Sequence, residues 1–218
     1  MLALYGHPFS SYTWKAQIAL HALGLDYDFR VLDADHPEHG AFVQQHGGPQ
    51  AKFPVLVDGD RVVFESSSII EHLNTHFTSD PPLIPTDAAA ALDVRTMDRV
   101  FDNYVMNMMQ GAVIEVIRHP GAPDAAVLAE VRANLRRTYA WLEHWLARRG
   151  PAGTTITLVE CAAAPSLFYA DWVERIEGEF PLLAAWRAHL NAQPPVSRCI
   201  EAARPFRSYF PLGAPDRD

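Results

Sequence analysis

Ala51-Lys52-Phe53-Pro54-Val55-Leu56-Val57-Asp58-Gly59-Asp60-Arg61-Val62-Val63-Phe64-Glu65-Ser66-Ser67-Ser68 is the stretch whose reading decides the fold. Val55-Leu56-Val57 and Val62-Val63-Phe64 are apolar arms of matching length about Asp58-Gly59, a dipeptide that supplies positive φ to a tight hairpin turn. Pro54 has no N–H for a ladder, so it belongs at the first residue of its strand. The hairpin runs into Glu65-Ser66, and Ser66 is a candidate N-cap for a helix carrying Ile69, Ile70, Leu73 and Phe77 at helical spacing. Such a helix start leaves N–H groups unpaired and holds a carboxylate, while Glu65 beside it holds an ammonium. Together they suit a zwitterionic amino-acid head group. The competing reading makes Glu65 a solvated strand end and Ser66 a plain cap.

Upstream, Leu2-Ala3-Leu4-Tyr5 reads as a buried strand closed by Gly6-His7-Pro8. A helix follows, with Ser10 or Ser11 as cap, Trp14, Ile18, Leu20 and Leu23 on its buried side and Gly24 at its end. Tyr27, Phe29 and Val31 alternate with Asp28 and Arg30, the pattern of a half-buried strand. Residues 36–48 are polar and read equally as a short helix or a loop. The order β-α-β-(α)-β-β-α, with its first crossover parallel and its last pair antiparallel, predicts a thioredoxin-like α/β domain over residues 1–80.

Asp80-Pro81-Pro82-Leu83-Ile84-Pro85 breaks regular structure, so residues 81–86 read as a linker. Residues 87–218 read as an all-helical domain, with long helices broken at Pro120-Gly121 and at Gly150-Pro151. Thr157-Leu158-Val159-Glu160 is a capping box opening a further helix. The structure beyond about residue 205 is left open.

At 218 residues and 49% apolar content the chain can bury a substantial core. The net charge is −8, and residues 1–80 carry four Lys/Arg against ten Asp/Glu, which argues against nucleic acid or an anionic membrane as the main partner. Cys161 and Cys199 are the only cysteines and the ten histidines are scattered, so neither a disulfide framework nor a metal site is expected. No leader-like segment opens the chain and no apolar run approaches membrane-spanning length, so a cytoplasmic protein is expected.

Lys52-Phe53-Pro54-Val55-Leu56 followed by Phe64-Glu65-Ser66 resembles the glutathione-binding half of the cytosolic glutathione transferases. That family places an apolar residue before a cis-proline, then a Glu/Gln-Ser pair opening a helix. The Thr157-x-x-Glu160 box is similar to the Ser/Thr-x-x-Asp box of its helical domain, and the resemblance spans roughly residues 1–205. It implies the glutathione transferase architecture and glutathione as co-substrate. Lys52, Phe53, Pro54, Glu65 and Ser66 would form its site, with the Phe53 backbone on the cysteinyl part and Glu65 and Ser66 on the γ-glutamyl head. It also implies a homodimer, with Asp98 or Asp102 approaching the partner's glutathione.

Chemistry on glutathione needs its thiolate, and a free thiol with a pKa of about 8.5 is mostly protonated near neutrality. A hydroxyl donor at a helix start favours the anion without itself titrating. Phe9-Ser10-Ser11-Tyr12-Thr13-Trp14-Lys15 offers such donors, and its Ser10-to-Lys15 spacing resembles the serine-using zeta and tau classes. Ser10 is the first candidate donor, Ser11 the alternative, and Tyr5 and Tyr12 follow. No cysteine lies within residues 1–80, which disfavours thiol-disulfide exchange and favours conjugation of a small hydrophobic electrophile. Phe9, Tyr12, Tyr104, Met108, Phe168 and Trp172 are the candidate pocket for that electrophile. A glutathione-dependent isomerase or dehalogenase, and a binding module without turnover, are the alternatives.

Overall fold

The computed structural model describes residues 1–218 except Thr78, Pro151 and Ala152. Strand β1 (Leu2–Gly6), helix α1 (Ser11–Ala22) and strand β2 (Tyr27–Val31) form a parallel crossover unit, followed by α2 (Pro37–His46), β3 (Val55–Asp58), β4 (Arg61–Phe64) and α3 (Ser66–His76). The sheet order is β2-β1-β3-β4, with β3 antiparallel to both neighbours. Residues 36–48, open in the sequence, are therefore mostly helix, begun by Pro37 at a position where its missing N–H has no intrahelical partner to lose.

Two local expectations shift by one residue. Asp58 pairs with Arg61, so the hairpin loop is Gly59-Asp60, and positive φ falls on Gly59 alone (57°), the pattern of a turn with glycine first. Asp58 instead accepts from His72 Nε2 at 3.0 Å, tying the hairpin to α3. Ser66 is the first helical residue and Glu65 occupies the cap position without a side-chain cap bond.

The helical half consists of α4 (Ala88–Val100), a π-helical segment (Phe101–Met106), α5 (Asn107–Arg118), α6 (Ala125–Arg149), α7 (Leu158–Val173), α8 (Pro181–Ala192), α9 (Pro194–Ala203) and a 3₁₀ turn (Arg204–Tyr209). The Thr157 capping box is closed in both directions, Glu160 Oε2 accepting from the Thr157 N–H at 2.9 Å. α7 is buried along its whole length and is the axis of this half. The end of the chain is also pinned: Arg217 donates to Asp171 at 3.1 Å, and Asp218 pairs with Arg204 at 2.6 Å and Arg207 at 3.0 Å. No described helix is long and apolar enough to cross a membrane.

The expected linker is not free. Leu83 and Ile84 are buried, Ile84 N–H donates to Asn74 Oδ1 at 3.0 Å, and Leu158 N–H donates to Leu83 O at 2.9 Å. The connection is thereby bonded to α3 on one side and α7 on the other.

α1 is the seam between the halves, packed against α3, α7 and α9. It ends in a Schellman motif, Leu25 N–H to Leu20 O and Gly24 N–H to His21 O, with Gly24 at φ 64°. The sequence marked one buried side, yet Ser11, Trp14, Lys15, Ile18 and Leu20 are all buried, because helices cover the face away from the sheet. Lys15, 1% exposed, is the one ammonium in that seam: Nζ lies 2.5 Å from Asp98 Oδ1, 2.8 Å from Asp102 and 2.9 Å from Ser67 Oγ. Arg99 closes the cluster on its outer side, contacting Ser67, Asp98 and Asp102.

Removing one partner from a buried ion cluster costs about 3–5 kcal/mol, because the remaining charges keep their desolvation penalty. Lys15→Met is expected to destabilise the fold by that amount, read as a lowered urea midpoint. Burial already holds the Asp102 carboxyl above its ordinary value despite Lys15, so its ionisation opposes folding. The deficit of the variant should therefore narrow as pH falls through that raised carboxyl pKa.

Candidate functional site

A cleft of about 620 Å³ opens between the halves, its N-terminal wall made by Ser10, Tyr12, Lys52, Phe53, Pro54, Glu65 and Ser66. Five expected binding residues thus line one cavity together with the first expected donor. The Phe53-Pro54 peptide bond is cis. Gly47, ending α2, also lines the cleft; a Cβ there would collide with the Lys52 carbonyl, so only glycine lets this segment close behind Lys52.

Ala51 (φ 51°) and Glu65 (φ 68°) are the two non-glycine residues with positive φ among the described residues, and both line this cleft. A non-glycine residue in such a conformation costs on the order of 1–3 kcal/mol and persists where the surroundings over-determine it. At Glu65 the cause is visible. The strand must turn directly into α3, whose first turn is closed by Ile69 N–H to Glu65 O at 2.9 Å, so the bend falls on the residue beside the cavity. Ser66, 5% exposed, then presents the free N–H groups of the first turn to the cleft.

Ser10 caps α1: its Oγ accepts from Thr13 N–H at 3.3 Å and its own N–H donates to His7 O at 3.0 Å. The cap uses an oxygen lone pair and leaves the hydroxyl hydrogen available. Ser11 is 5% exposed and lines only a second, adjoining cavity of about 270 Å³, whose other walls include Phe9, Met109, Val113, Tyr169 and Phe210. Phe9 is held there by Tyr169, whose hydroxyl donates to Phe9 O at 3.0 Å while the rings meet edge to face. The Tyr12 hydroxyl donates to Asn107 Oδ1 at 3.2 Å across the cleft. Burial, then the Asp102 and Glu65 carboxylates, push the Tyr12 phenol well above its ordinary value, so it stays neutral.

Four expected pocket residues lie elsewhere. Tyr104 and Met108 line a separate groove of about 570 Å³ with Trp141, on another face of the α4–α5 run. Asn103, Asn107, Gln110, Gly111 and Ile114 form the stripe that faces the cleft, and Tyr104 and Met108 are each one residue off it. Phe168 and Trp172 are 2% and 8% exposed and belong to an aromatic core with Trp14 and Phe210 (centroids 4.9 and 5.1 Å), which leaves no room for a ligand. Arg99, Asn103, Asn107 and Gln110 line the cleft without having been singled out for it, and Asp102, expected beside a partner's glutathione, lines it too. The helical spacing of Asn103, Asn107 and Gln110 was a usable signal for three of them. Asp98 is 2% exposed and bound within its own chain, and Asp102 lines its own chain's cleft.

Among the described residues no group of three His, Cys, Asp or Glu is placed to hold a metal ion. Cys161 and Cys199 are free and buried, and burial raises both thiols, which makes them poor nucleophiles.

The family model "Glutathione S-transferase, N-terminal domain" matches residues 4–81, and "Glutathione S-transferase, C-terminal domain" matches residues 105–194. Glutathione S-transferase 1 of Dianthus caryophyllus is 30% identical over 206 residues, covering 91% of each chain. This chain belongs to the glutathione S-transferase family.

A second relative of this glutathione transferase is the maleylpyruvate isomerase of a Ralstonia species, 26% identical, with coverage of 94% of this chain and 99% of that protein. Among solved structures, a glutathione S-transferase from Methylobacillus flagellatus with glutathione bound has the same fold, with a TM-score of 0.78 at 24% identity over 91% of this chain and 98% of that one.

Proposed function

We propose that this glutathione transferase binds glutathione in the larger cavity and joins its thiolate to a small hydrophobic electrophile held in the smaller one. The observation that carries this reading is the position of Ser10, which lines both cavities while its hydroxyl hydrogen is unused by the cap. The γ-glutamyl carboxylate meets the first-turn N–H groups and hydroxyl of Ser66, and its ammonium meets Glu65. The cysteinyl backbone pairs with Phe53 beside the cis Pro54, and the Lys52 cation suits the carboxylate at the other end of the tripeptide. That seating delivers sulfur to the rim where the cavities meet, and there Ser10 donates to it. A hydrogen bond made to the anion lowers the thiol pKa towards neutrality. Ser11, buried on the far side of the cap, is the alternative donor.

Isomerisation is the second reading, favoured by the isomerase relative. The same thiolate would add to a double bond, permit rotation and leave again. The protein is read as cytosolic, in keeping with two free buried cysteines. A two-fold homodimer is read from the groove at Tyr104, Met108 and Trp141: Tyr104 and Trp141 are 58% and 48% exposed, an apolar surface suited to a second copy.

Glu65→Ala combined with Ser66→Ala is expected to abolish retention on immobilised glutathione while circular dichroism stays native; full retention by the folded variant would remove this reading. Ser10→Ala should slow turnover by about a hundredfold, the usual loss for one donor to a developing anion, roughly 3 kcal/mol. Losing a bond to the thiolate raises the thiol pKa, so the rising limb of the pH–rate profile should move to higher pH. Ser11→Ala should leave that limb in place, and the opposite ranking would transfer the role to Ser11. Light scattering at micromolar concentration is expected to give twice the 24.3 kDa chain mass, and Trp141→Asp to halve it.

A further inference from the structure

The two cavities share Ser10, Phe53 and Gln110. Ser10 and Phe53 come from the thioredoxin-like half, and Gln110 stands opposite them on α5. Around it the smaller cavity is apolar, with Met109, Val113 and Ile117 on the same helix and Phe9 and Phe210 facing them. The Tyr169 hydroxyl in that cavity is already engaged by Phe9 O. No hydrogen bond to the Gln110 amide forms among the described residues. A half-buried primary amide with two N–H donors, held by no other described residue, is therefore free to turn to a ligand where the two cavities meet.

We propose that Gln110 is a catalytic residue whose amide N–H donates to the electrophile atom that gains negative charge as sulfur adds, and that the enzyme thereby favours conjugated carbonyl acceptors. This rests on the conjugating function proposed above. The thiolate pair forms the carbon–sulfur bond at the β-carbon of an α,β-unsaturated ketone. The displaced π pair moves through the conjugated system to the carbonyl oxygen, giving an enolate to which Gln110 donates. A proton from water then adds at the α-carbon and the carbonyl re-forms; that proton balances the one glutathione released on ionising. An amide cannot titrate in this range, so it serves as donor at every working pH. Displacement of chloride from a saturated carbon differs: the negative charge leaves in line with the sulfur on its far side, away from the rim, and draws little from Gln110.

The test compares trans-4-phenyl-3-buten-2-one with benzyl chloride at saturating glutathione, in wild type, Gln110→Ala, Gln110→Glu and Tyr209→Phe. Tyr209 is the competing hydroxyl, 64% exposed at the mouth of the smaller cavity. Gln110→Ala should lower kcat/KM for the enone at least tenfold more than for the chloride. Gln110→Glu, of equal size but with an acceptor-only carboxylate, should do so at least as strongly, and Tyr209→Phe should leave the ratio within twofold. Parallel losses on both electrophiles, an unchanged ratio, or the same selective loss in Tyr209→Phe would overturn the proposal. So would a wild-type enzyme that turns over the chloride and not the enone. A wild type inert to both electrophiles, though retained on glutathione, would overturn the conjugating function itself.

Discussion

One ammonium, Lys15, has to be held with almost no water present, between two carboxylates that Arg99 closes from outside, and the geometry of the cleft follows from how this is done. The burial of Lys15 is tolerable only because Asp98 and Asp102 come within 2.8 Å of it and Ser67 takes a further donor. Those partners lie on different elements: Ser67 on α3, Asp98 on α4 and Asp102 in the π-helical segment. The cluster thus fixes α1, α3 and the α4–α5 run against one another at a single point. Ser10 sits just over one turn before Lys15, so anchoring the lysine also sets the cap serine relative to the opposite wall. The π-helical segment begins immediately after Arg99 and Val100 and carries Asp102 to Lys15 while turning Asn103 to the cleft. π-helical turns of this kind are rare and frequently mark functional sites.

The cleft combines a polar end and an apolar end because its walls are built by different means. At the polar end, charge is fixed by covalent geometry: Glu65 is held at positive φ by an abrupt strand-to-helix bend, and the free N–H groups beside it belong to the backbone. At the apolar end the wall is side-chain packing, drawn from Phe9, α5 and the segment after the 3₁₀ turn. The returning C-terminal chain is pinned to Asp171, Arg204 and Arg207, so Phe210 stays packed on Trp172 as part of the core as well as lining the cavity.

Legibility in the sequence followed the range of the interactions. The cap of α1 at Ser10 or Ser11, the Gly24 helix end and the Thr157 capping box depend on neighbours within about six residues, and each could be read from the residues involved. Local rules erred by a single position at Asp58-Gly59 and at Ser66, where pairing register and the bend at Glu65 override turn and cap preferences. The binding residues singled out on 1–80 line one cavity, and what singled them out was the resemblance of the Phe53-Pro54 and Glu65-Ser66 pattern to a family, since the residue chemistry alone read equally as a strand end and a plain cap. The helical wall was not legible. Aromatic and methionine residues do not declare whether they face a ligand, a partner or a core, and Phe168, Trp172, Tyr104 and Met108 were drawn to the wrong surface. Lys15, read only as a spacing marker, is a buried structural charge whose partners lie more than fifty residues away in sequence.

α1 lies under its own sheet and beneath α7 and α9, and this affects how such a chain can diverge. Trp14 meets Phe168 and Tyr169, His21 meets the Pro195 carbonyl at 3.1 Å, and Lys15 meets Asp98 and Asp102. A chimera joined at the proline-rich connection would take one side of every one of these contacts from each parent. The proline-rich stretch therefore marks a change of architecture without marking a seam along which the molecule can be recombined. A change at one of these α1 positions leaves a mismatch on α7 or α9 unless the facing residue changes with it, so the packing unit is the interface and not either half.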